Sequence, residues 1–576
     1  MGTIADKLTY LGQTKSEIRD AIISKGVSVP ANTTFREYAG KIRAIGAGSE
    51  GEEPDVWKRP GDWLPIESKV VAGDHKFVGL YAIFEEGNFI SLSATGNYTV
   101  DWGDGVVENF ASGVQADHSY SYDAFPGTES TEGYRQAVVT VTPQAGQNLT
   151  GINLQCQHRQ SGLNIIYSTG WLDIRISGEN IVNLSVGGST SNHRYLQAFC
   201  FLGKNGITDF NRLFSGCYDL QFVPLFDTSK GKDFSYMFQL CSLLQSVPLL
   251  DTAGGTDFSY MFQGCSLLQS VPLFDTSNGT NFSYMFISCY KLKSIPLFNT
   301  GKGTSFRYML SSCYAIKSTP LLDTSNGTNF SYMFSACYAL ENIPVYNTSK
   351  GAYFNYMFQS CISLKSIALS DTSKGVNFGN MFQGCTLLKT GPIMNTSNGT
   401  DFRNLFYSCP TLQSIPFYDT SKGTNFNYTF GSCPSLKTIP LLNTSNGTTF
   451  IGMFSFSNML RTIPLLDTSK GADFSTMFTG CYTLETLPSL NISNGTTLTG
   501  MLTNCGALSK APFSGTKNSI SYENCKLSRT ALVDVFNKLA SGVTAKTITI
   551  TNNWGAPLLT AQERAIATNK GWTIIG

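Results

Sequence analysis

The sequence predicts a mainly β protein organised around a long repeat solenoid, and two observations support this fold class. Between residues 209 and 520 a 24-residue unit recurs in thirteen copies without a change of register. Each copy places apolar residues at fixed slots, shows no sustained 3.6-residue period and ends in a turn sequence such as 275–280. One unit cannot bury its apolar residues alone, whereas stacked units can, so we expect one solenoid coil per copy.

The chain begins with residues 1–45, which predict short helices opened by Thr14 and Thr34 as capping-box residues. Three short apolar stripes bury too little surface to stand alone. We therefore expect this segment to dock onto a partner protein or to assemble copies of the chain into a homo-oligomer. Residues 46–56 are rich in Gly and Glu and predict a flexible linker.

Residues 57–149 predict a β-sandwich, because alternating apolar residues flank a glycine-containing turn in residues 98–105. In that turn Asp101 and Asp104 are compatible with calcium binding or with capping of the turn, and capping is favoured. A further strand pattern lies at 138–142.

The solenoid has a predicted cap at each end. Residues 150–208 keep short β patterns and predict irregular first coils, because terminal repeats are atypical. Residues 521–576 predict a small α/β cap, with Ser528 and Thr560 as helix N-caps and a strand at 547–551.

Three kinds of slot in the repeat carry structural predictions. The apolar slots of the second copy predict the core: Phe234, Met237, Phe238, Cys241, Leu244, Val247 and Leu249. A glycine recurs near the end of twelve copies, as at Gly255, and predicts a positive φ or a tight corner. A proline such as Pro248 predicts a coil corner, because it cannot donate to a strand ladder.

A cysteine column occupies one slot in twelve copies, and Ser457 takes its place in the remaining copy. The column is Cys217, Cys241, Cys265, Cys289, Cys313, Cys337, Cys361, Cys385, Cys409, Cys433, Cys481 and Cys505. Buried, reduced thiols are favoured because a regular stack has no natural pairing. Disulfides between adjacent coils are the alternative, since the expected coil spacing is within bonding range. Zinc is disfavoured because no His accompanies the column.

An Asp/Asn column follows the proline slot. Calcium would prefer a carboxylate in every copy. Asn takes five of these slots, so turn capping is favoured instead: Asn299, Asn347, Asn395, Asn443 and Asn491. Asn-x-Ser/Thr triplets such as the one at Asn278 match the glycosylation sequon, although turn chemistry alone produces them.

Seven tyrosines share one further slot, among them Tyr428, and six of them are the candidate receptor-binding residues: Tyr236, Tyr260, Tyr284, Tyr308, Tyr332 and Tyr356. If they are half-buried between core residues, they only pack. If they are exposed, they form a flat aromatic strip suited to stacking on sugar rings. The slot after each Cys is more variable, with Tyr290 in one copy and Ser242 in another, as expected of a recognition surface.

The run Cys-x-x-Leu-x-x-Ile/Val-Pro resembles the leucine-rich repeats of the BspA-like class, found in bacterial surface proteins and in some bacteriophage proteins. The resemblance implies one short parallel strand per coil and, at about 4.8 Å per coil, a rod on the order of 60 Å long. Trp-Gly-Asp-Gly at 102–105 resembles the turn of the PKD type of immunoglobulin-like sandwich. Residues 1–45 resemble segments that begin phage tail and fibre proteins, and residues 521–576 resemble caps of the same repeats in related phage proteins.

The composition of the chain disfavours several classes of function. Charged residues are 14% of the chain and the formal net charge is +1, so no basic balance indicates nucleic acid. No apolar run is long enough to cross a membrane, and the N-terminus lacks the pattern of a signal peptide. The four His residues show no triad or metal spacing. We therefore expect no cofactor, no metal and no enzymatic activity.

These features together favour a structural virion protein, namely a phage tail fibre or surface fibre that binds a host glycan or protein through its solenoid. Its expected partners are other tail, baseplate or neck proteins, bound through residues 1–45. Its expected location is the virion, after synthesis in the host cytoplasm. The alternatives are a bacterial cell-surface adhesin and a polysaccharide-degrading tailspike, whose paired carboxylates would meet only in space.

Overall fold

The computed structural model describes residues 57–85, 88–158, 166–167, 170–188 and 193–576. The predicted helical segment 1–45 and linker 46–56 lie outside these residues. Residues 62–576 form one compact unit, which is mainly β and consists chiefly of the repeat solenoid.

Two larger sheets precede the solenoid. The strands of this part of the chain are β1 Lys76–Ile83, β2 Phe89–Thr95, β3 Tyr98–Asp101, β4 Val107–Phe110, β5 Gln115–Ser119, β6 Arg135–Pro143, β7 Gly151–Asn153, β8 Gln157–His158, β9 Ile166–Tyr167, β10 Trp171–Ser177, β11 Asn183–Ser185 and β12 Ala198–Phe201. One sheet has the order β12-β10-β1-β6-β3-β4, the other has the order β11-β7-β2-β5, and β8 pairs with β9. Short 3-10 helices lie at Glu67–Lys69 and Tyr122–Ala124.

The sheets continue into the first coil. β12 pairs in parallel with β10, and its residue Ala198 forms a parallel bridge to Phe222. β10 and β12 lie in the same sheet as β1 and β6, while β7 and β11 lie in the same sheet as β2. The ranges predicted separately, 57–149 and 150–208, therefore share both sheets. The PKD-type resemblance stays a prediction.

The turn after β3 is capped by its own aspartates, as the capping interpretation predicts. Asp101 Oδ1 accepts a hydrogen bond from the N–H of Gly103 at 3.0 Å, and Asp104 Oδ1 accepts one from the N–H of Val106 at 3.0 Å. The second oxygen of Asp104 lies 2.8 Å from Nε2 of His118. The aspartate oxygens thus hold the turn to itself and to β5 of the other sheet.

Each solenoid coil is built mainly from turns, and neighbouring coils are joined by isolated parallel bridges such as that between Asp233 and Asp257. Four N–H groups per coil donate to the next coil, and in the second copy they belong to Phe234, Tyr236, Phe238 and Leu240. The continuous short strand implied by the resemblance does not form. Tyr236 and Leu240 have φ of 58° and 62°, and this left-handed conformation interrupts an extended strand.

The apolar slots form the core, with one exception. Phe234, Met237, Phe238, Cys241 and Leu244 are fully buried, and Val247 is partly buried against them. The prediction that the cysteine column faces inward is therefore confirmed. The predicted burial of Leu249 was wrong: it is 50% exposed, and Leu250 takes the core position. The N–H of Leu250 donates to the carbonyl of Pro248 at 2.9 Å, so the chain turns at Leu249 and only Leu250 enters the core.

The recurring glycine is explained by close packing and not by a positive φ. Gly255 does not lie in the left-handed region. A Cβ at Gly255 would lie 2.7 Å from Cζ of Phe258 and 2.9 Å from Cδ2 of Phe234. The rings of two successive coils press on the glycine Cα, so this slot has no room for a side chain. The tight corner that was the alternative prediction is present, because the N–H of Gly255 donates to the carbonyl of Thr252 at 2.8 Å. The left-handed conformation instead occurs at the slots of Tyr236 and Leu240.

The last coil is followed by a small α/β element. Its parallel sheet contains β13 Ile520–Ser521, β14 Lys546–Thr549 and β15 Trp572–Ile575, and its helices are α1 Arg529–Lys538 and α2 Ala561–Thr568, with a 3-10 helix at Ala556–Leu558. The side chains of Ser528 and Thr560 cap α1 and α2, as their sequence positions predict. The N–H of Lys526 donates to the carbonyl of Leu508, which joins this element to the last coil.

Candidate recognition surface

The cysteine column is a structural ladder. The thiol of Cys241 donates to the carbonyl of Phe214 at 3.2 Å, and the same bond recurs along the column as far as Cys505. All the cysteines of the column are free. Burial raises the pKa of the thiol of Cys385 to about 12, which suppresses the thiolate that reactive cysteines require. At the break, the hydroxyl of Ser457 donates to Phe430 O at 2.7 Å, which explains why Ser is tolerated there.

The Asp/Asn column caps the turns, as predicted. Asp275 Oδ1 accepts a hydrogen bond from the N–H of Ser277 at 2.9 Å, and this bond lowers the pKa of the Asp275 carboxyl. From Asp275 to Asn491 the column alternates strictly between Asp and Asn. Two carboxylates in successive coils would repel each other at the coil spacing, and the alternation prevents this. The sequon residue Asn278 donates through Nδ2 to the carbonyl of Ala253 at 2.8 Å.

The six candidate tyrosines form a continuous stack, which we call the tyrosine ladder. Successive ring centroids are 4.1 to 4.7 Å apart, and the rings are inclined by 6 to 13°. The same slot is occupied by Arg212 at one end, and its guanidinium lies 4.0 Å from the ring centroid of Tyr236. At the other end the slot holds Asn380. The ladder is therefore bounded by a cation and an amide.

The ladder presents edges to solvent, because its ring faces are covered. Each tyrosine is half-buried, and each inner ring is stacked on both sides. Burial, together with the neighbouring phenols, raises the pKa of Tyr260 and Tyr332. Neither sequence interpretation was complete: the rings pack on one another and also remain partly exposed. Sugar stacking on free ring faces does not fit the ladder, whereas contact along the hydroxyl-bearing edge does.

A second, shorter tyrosine stack occupies the variable slot after the cysteine. Tyr290, Tyr314 and Tyr338 are 37 to 40% exposed, and their ring centroids are 4.7 and 4.6 Å apart. Copies before and after this stretch carry Ser266 and Ile362 at the same slot. The variability expected of this slot is thus located on the exposed surface.

The structure also exposes an aliphatic ridge that the sequence interpretation missed. Ten residues at the slot after the proline are 50 to 84% exposed: Leu225, Leu249, Leu273, Leu297, Leu321, Val345, Ile393, Phe417, Leu441 and Leu465. The signal was present in the sequence as two apolar residues in succession. Only the second of the two faces the core, because the chain turns at the first, as the bond from the N–H of Phe274 to the carbonyl of Pro272 shows.

Within the described parts of the chain, no group of three or more His, Cys, Asp or Glu side chains is placed to hold a metal ion. The helices that the structure describes are all too short or too polar to span a bilayer.

Comparison with known proteins gives one family and several distant structures. Residues 208–321, 317–395 and 400–514 match a family described as Mycoplasma protein of unknown function, DUF285. A leucine rich cell surface protein from Faecalibacterium prausnitzii A2-165 is similar at 20% identity over 64% of this chain and 91% of that chain, with a TM-score of 0.36. A leucine-rich repeat protein from Eubacterium ventriosum ATCC 27560 is similar at 16% identity over 54% and 90%, with a TM-score of 0.30. Both TM-scores are too low to support an argument from either structure. No curated protein matches the chain.

Proposed function

The chain belongs to the DUF285 family, whose model matches more than half of its residues, and from this premise we propose that its solenoid is a recognition surface for an extended polymer. The observation that carries the proposal is the tyrosine ladder, which repeats one half-exposed phenol per coil at 4.1 to 4.7 Å. A polymer chain lying along the solenoid meets the same group at every coil.

The chemistry of the ladder suits a glycan. A phenol hydroxyl both donates and accepts hydrogen bonds, as sugar hydroxyls do. Each contact is weak, but contacts to one polymer add through multivalency. Stacking fixes the rings before binding, so little side-chain entropy is lost when the ligand arrives.

The finer proposal is a bacteriophage tail fibre or surface fibre that carries this surface to a host cell. It is supported by the resemblance of residues 1–45 to phage docking segments, through which the chain would bind other virion proteins or form a homo-oligomer. The alternative setting is a bacterial cell-surface adhesin, and the family description favours it because it names a bacterium. In both settings the solenoid acts by binding, without catalysis.

The test replaces Tyr260, Tyr284 and Tyr308 together with Asn. Asn occupies the same slot at Asn380 with a φ of 59°, so the substitution removes the rings and keeps the left-handed backbone. Binding to an array of linear polysaccharides is measured for both proteins. Three lost contacts of about 0.5 kcal/mol each weaken binding roughly tenfold.

The matched control replaces the exposed stack Tyr290, Tyr314 and Tyr338 with Ser, which removes the same number of rings from another slot. We expect binding to change less than about twofold in this control. If the ladder variant remains folded and binds every polysaccharide as the unmodified chain does, the ladder is not the recognition surface. Detection of the chain in purified particles, or on the bacterial cell envelope, distinguishes the two settings.

A further inference from the structure

A second column of the solenoid carries charges that its fold does not explain. The slot four residues before the aliphatic ridge forms what we call the cation column: Lys293, Lys317, Glu341, Lys365, Lys389, Gln413, Lys437, Arg461 and Glu485. The cations fall in three like-charged pairs on neighbouring coils, and a single Glu or Gln follows each pair. The pattern therefore repeats every three coils, which is about 14 Å at the usual strand spacing.

Several of these cations are not neutralised within the protein. Glu341 lies 4.0 Å from Lys365, and Glu485 lies 2.5 Å from Arg461, so each acid pairs with one neighbour. The exposed side chains of Lys317, Lys389 and Lys437 have no partner among the ion pairs of residues 193–576. Each like-charged pair thus contains at least one unpaired ammonium group.

One backbone hydrogen bond between successive coils is missing at all three like-charged pairs. Between the oppositely charged Lys317 and Glu341, the N–H of Glu341 donates to the carbonyl of Lys317 at 3.0 Å. Several other residues of this slot donate in the same way to the residue of the preceding coil. None of the three like-charged pairs forms it within this fully described stretch, and it is also missing at Gln245 and Lys365. Like charges placed directly opposite on neighbouring strands destabilise their pairing.

The Asp/Asn column differs from the cation column within the same coils. From Asp275 onward, no two carboxylates of that column lie in successive coils, although Asp227, Asp251 and Asp275 do. The coils that keep positive charges adjacent in the cation column therefore alternate Asp with Asn in the other column. An external anion would reduce the repulsion and contact the unpaired ammonium group of each pair.

We propose that the cation column binds an extended polyanionic glycan whose anionic groups recur at roughly 14 Å. Lysine ammonium groups contact phosphate, sulfate or carboxylate as point charges without requiring a fixed geometry. Single-stranded nucleic acid fits less well, because it needs free aromatic faces for its bases, and the faces of the adjoining tyrosines are stacked on one another. The proposal does not depend on the tyrosine ladder, which occupies a different slot of the coil.

The test uses the full chain with Lys317, Lys389 and Lys437 replaced by Gln, the residue found in this slot at Gln245 and Gln413. The probes are hyaluronan, a glycerol-phosphate polymer, uncharged dextran and single-stranded DNA. We expect the unmodified chain to bind at least one of the two anionic glycans. Its affinity should fall with rising salt and drop at least about tenfold in the triple variant.

The control replaces Lys302, Lys350 and Lys422 with Gln. These lysines lie at another slot and donate to Asn side chains of the preceding coil, so the control makes the same change in net charge elsewhere. We expect it to bind within about twofold of the unmodified chain. Equal losses in both triple variants, tighter binding to DNA or dextran than to the glycans, or no binding to either anionic glycan would each overturn the proposal.

A stability measurement gives a readout that is independent of binding. Without ligand at low salt, the cation-column variant should melt at a higher temperature than the unmodified chain, because repulsion has been removed. The difference should shrink as salt is added. A lower melting temperature in the variant would show that the lysines stabilise the fold, against the proposal.

Discussion

The recurring glycine provides the most direct test of how the coils pack. Gly327 does not have a positive φ, and a Cβ there would lie 2.6 Å from Cζ of Phe330 and 3.0 Å from Cε2 of Phe306. Phe330 cannot easily move away, because its ring is stacked between those of Phe306 and Phe354 at 5.7 Å on both sides. Gly327→Ala therefore forces one methyl group into a filled core, at an expected cost of about 1–3 kcal/mol.

The assay is denaturant unfolding of Gly327→Ala with and without Phe330→Leu, which removes the atom nearest to the added methyl group. If the cost is steric, Phe330→Leu recovers about half of it in a double-mutant cycle. The control is Gly384→Ala, where φ is +71° and the nearest atom to a Cβ is 3.4 Å away. Its cost of about 1 kcal/mol reflects backbone strain alone. A Gly327→Ala protein as stable as the unmodified chain, or no coupling to Phe330, would refute close packing as the reason for the glycine.

Two further predictions concern the surface slots. Leu273→Ala should change the free energy of unfolding by less than about 0.5 kcal/mol, because Leu273 is 59% exposed. Phe274→Ala, at the next residue, should cost about 3–5 kcal/mol, and equal costs in denaturant unfolding would contradict the assigned faces. Asn347→Asp should destabilise the chain at pH 7, because it places carboxylates in three successive coils between Asp323 and Asp371. Hydrogen bonds from the serine two residues on keep the pKa of both native aspartates below 3.8, so their stabilising effect is present above that pH and is lost as pH falls through the folded pKa. The penalty of Asn347→Asp in thermal unfolding should therefore disappear only as the pH falls below 3.8, where these carboxyls become protonated in the folded state. A penalty that persists once they are protonated would exclude charge repulsion as its cause.

The sequence alone determined the repeat unit, its register and most of its core. A 24-residue period with fixed apolar slots predicts a stack of similar coils, in which the residue at each slot packs against the residues at the same slot of the neighbouring coils. For the same reason the buried position of Cys241 and the capping role of Asp275 followed from the pattern. The helix caps at Ser528 and Thr560 were also predictable, because a capping bond joins residues only three positions apart.

Tertiary structure decided everything that depends on how one coil meets the next. The left-handed backbone at Tyr236 accompanies a hydrogen bond from its N–H to the carbonyl of Ser259 in the next coil, and no single copy of the repeat reveals it. Whether Leu249 or Leu250 faces the core depends on the direction of the chain at the corner. Two apolar residues in succession do not determine that direction. The stacking of the tyrosine ladder and the like-charged pairs of the cation column exist only when residues 24 positions apart are brought within a few ångströms. Contacts within a copy are local and can be inferred from sequence, whereas the surface that a ligand meets is made of contacts between copies, and its geometry is set by the packing of the coils.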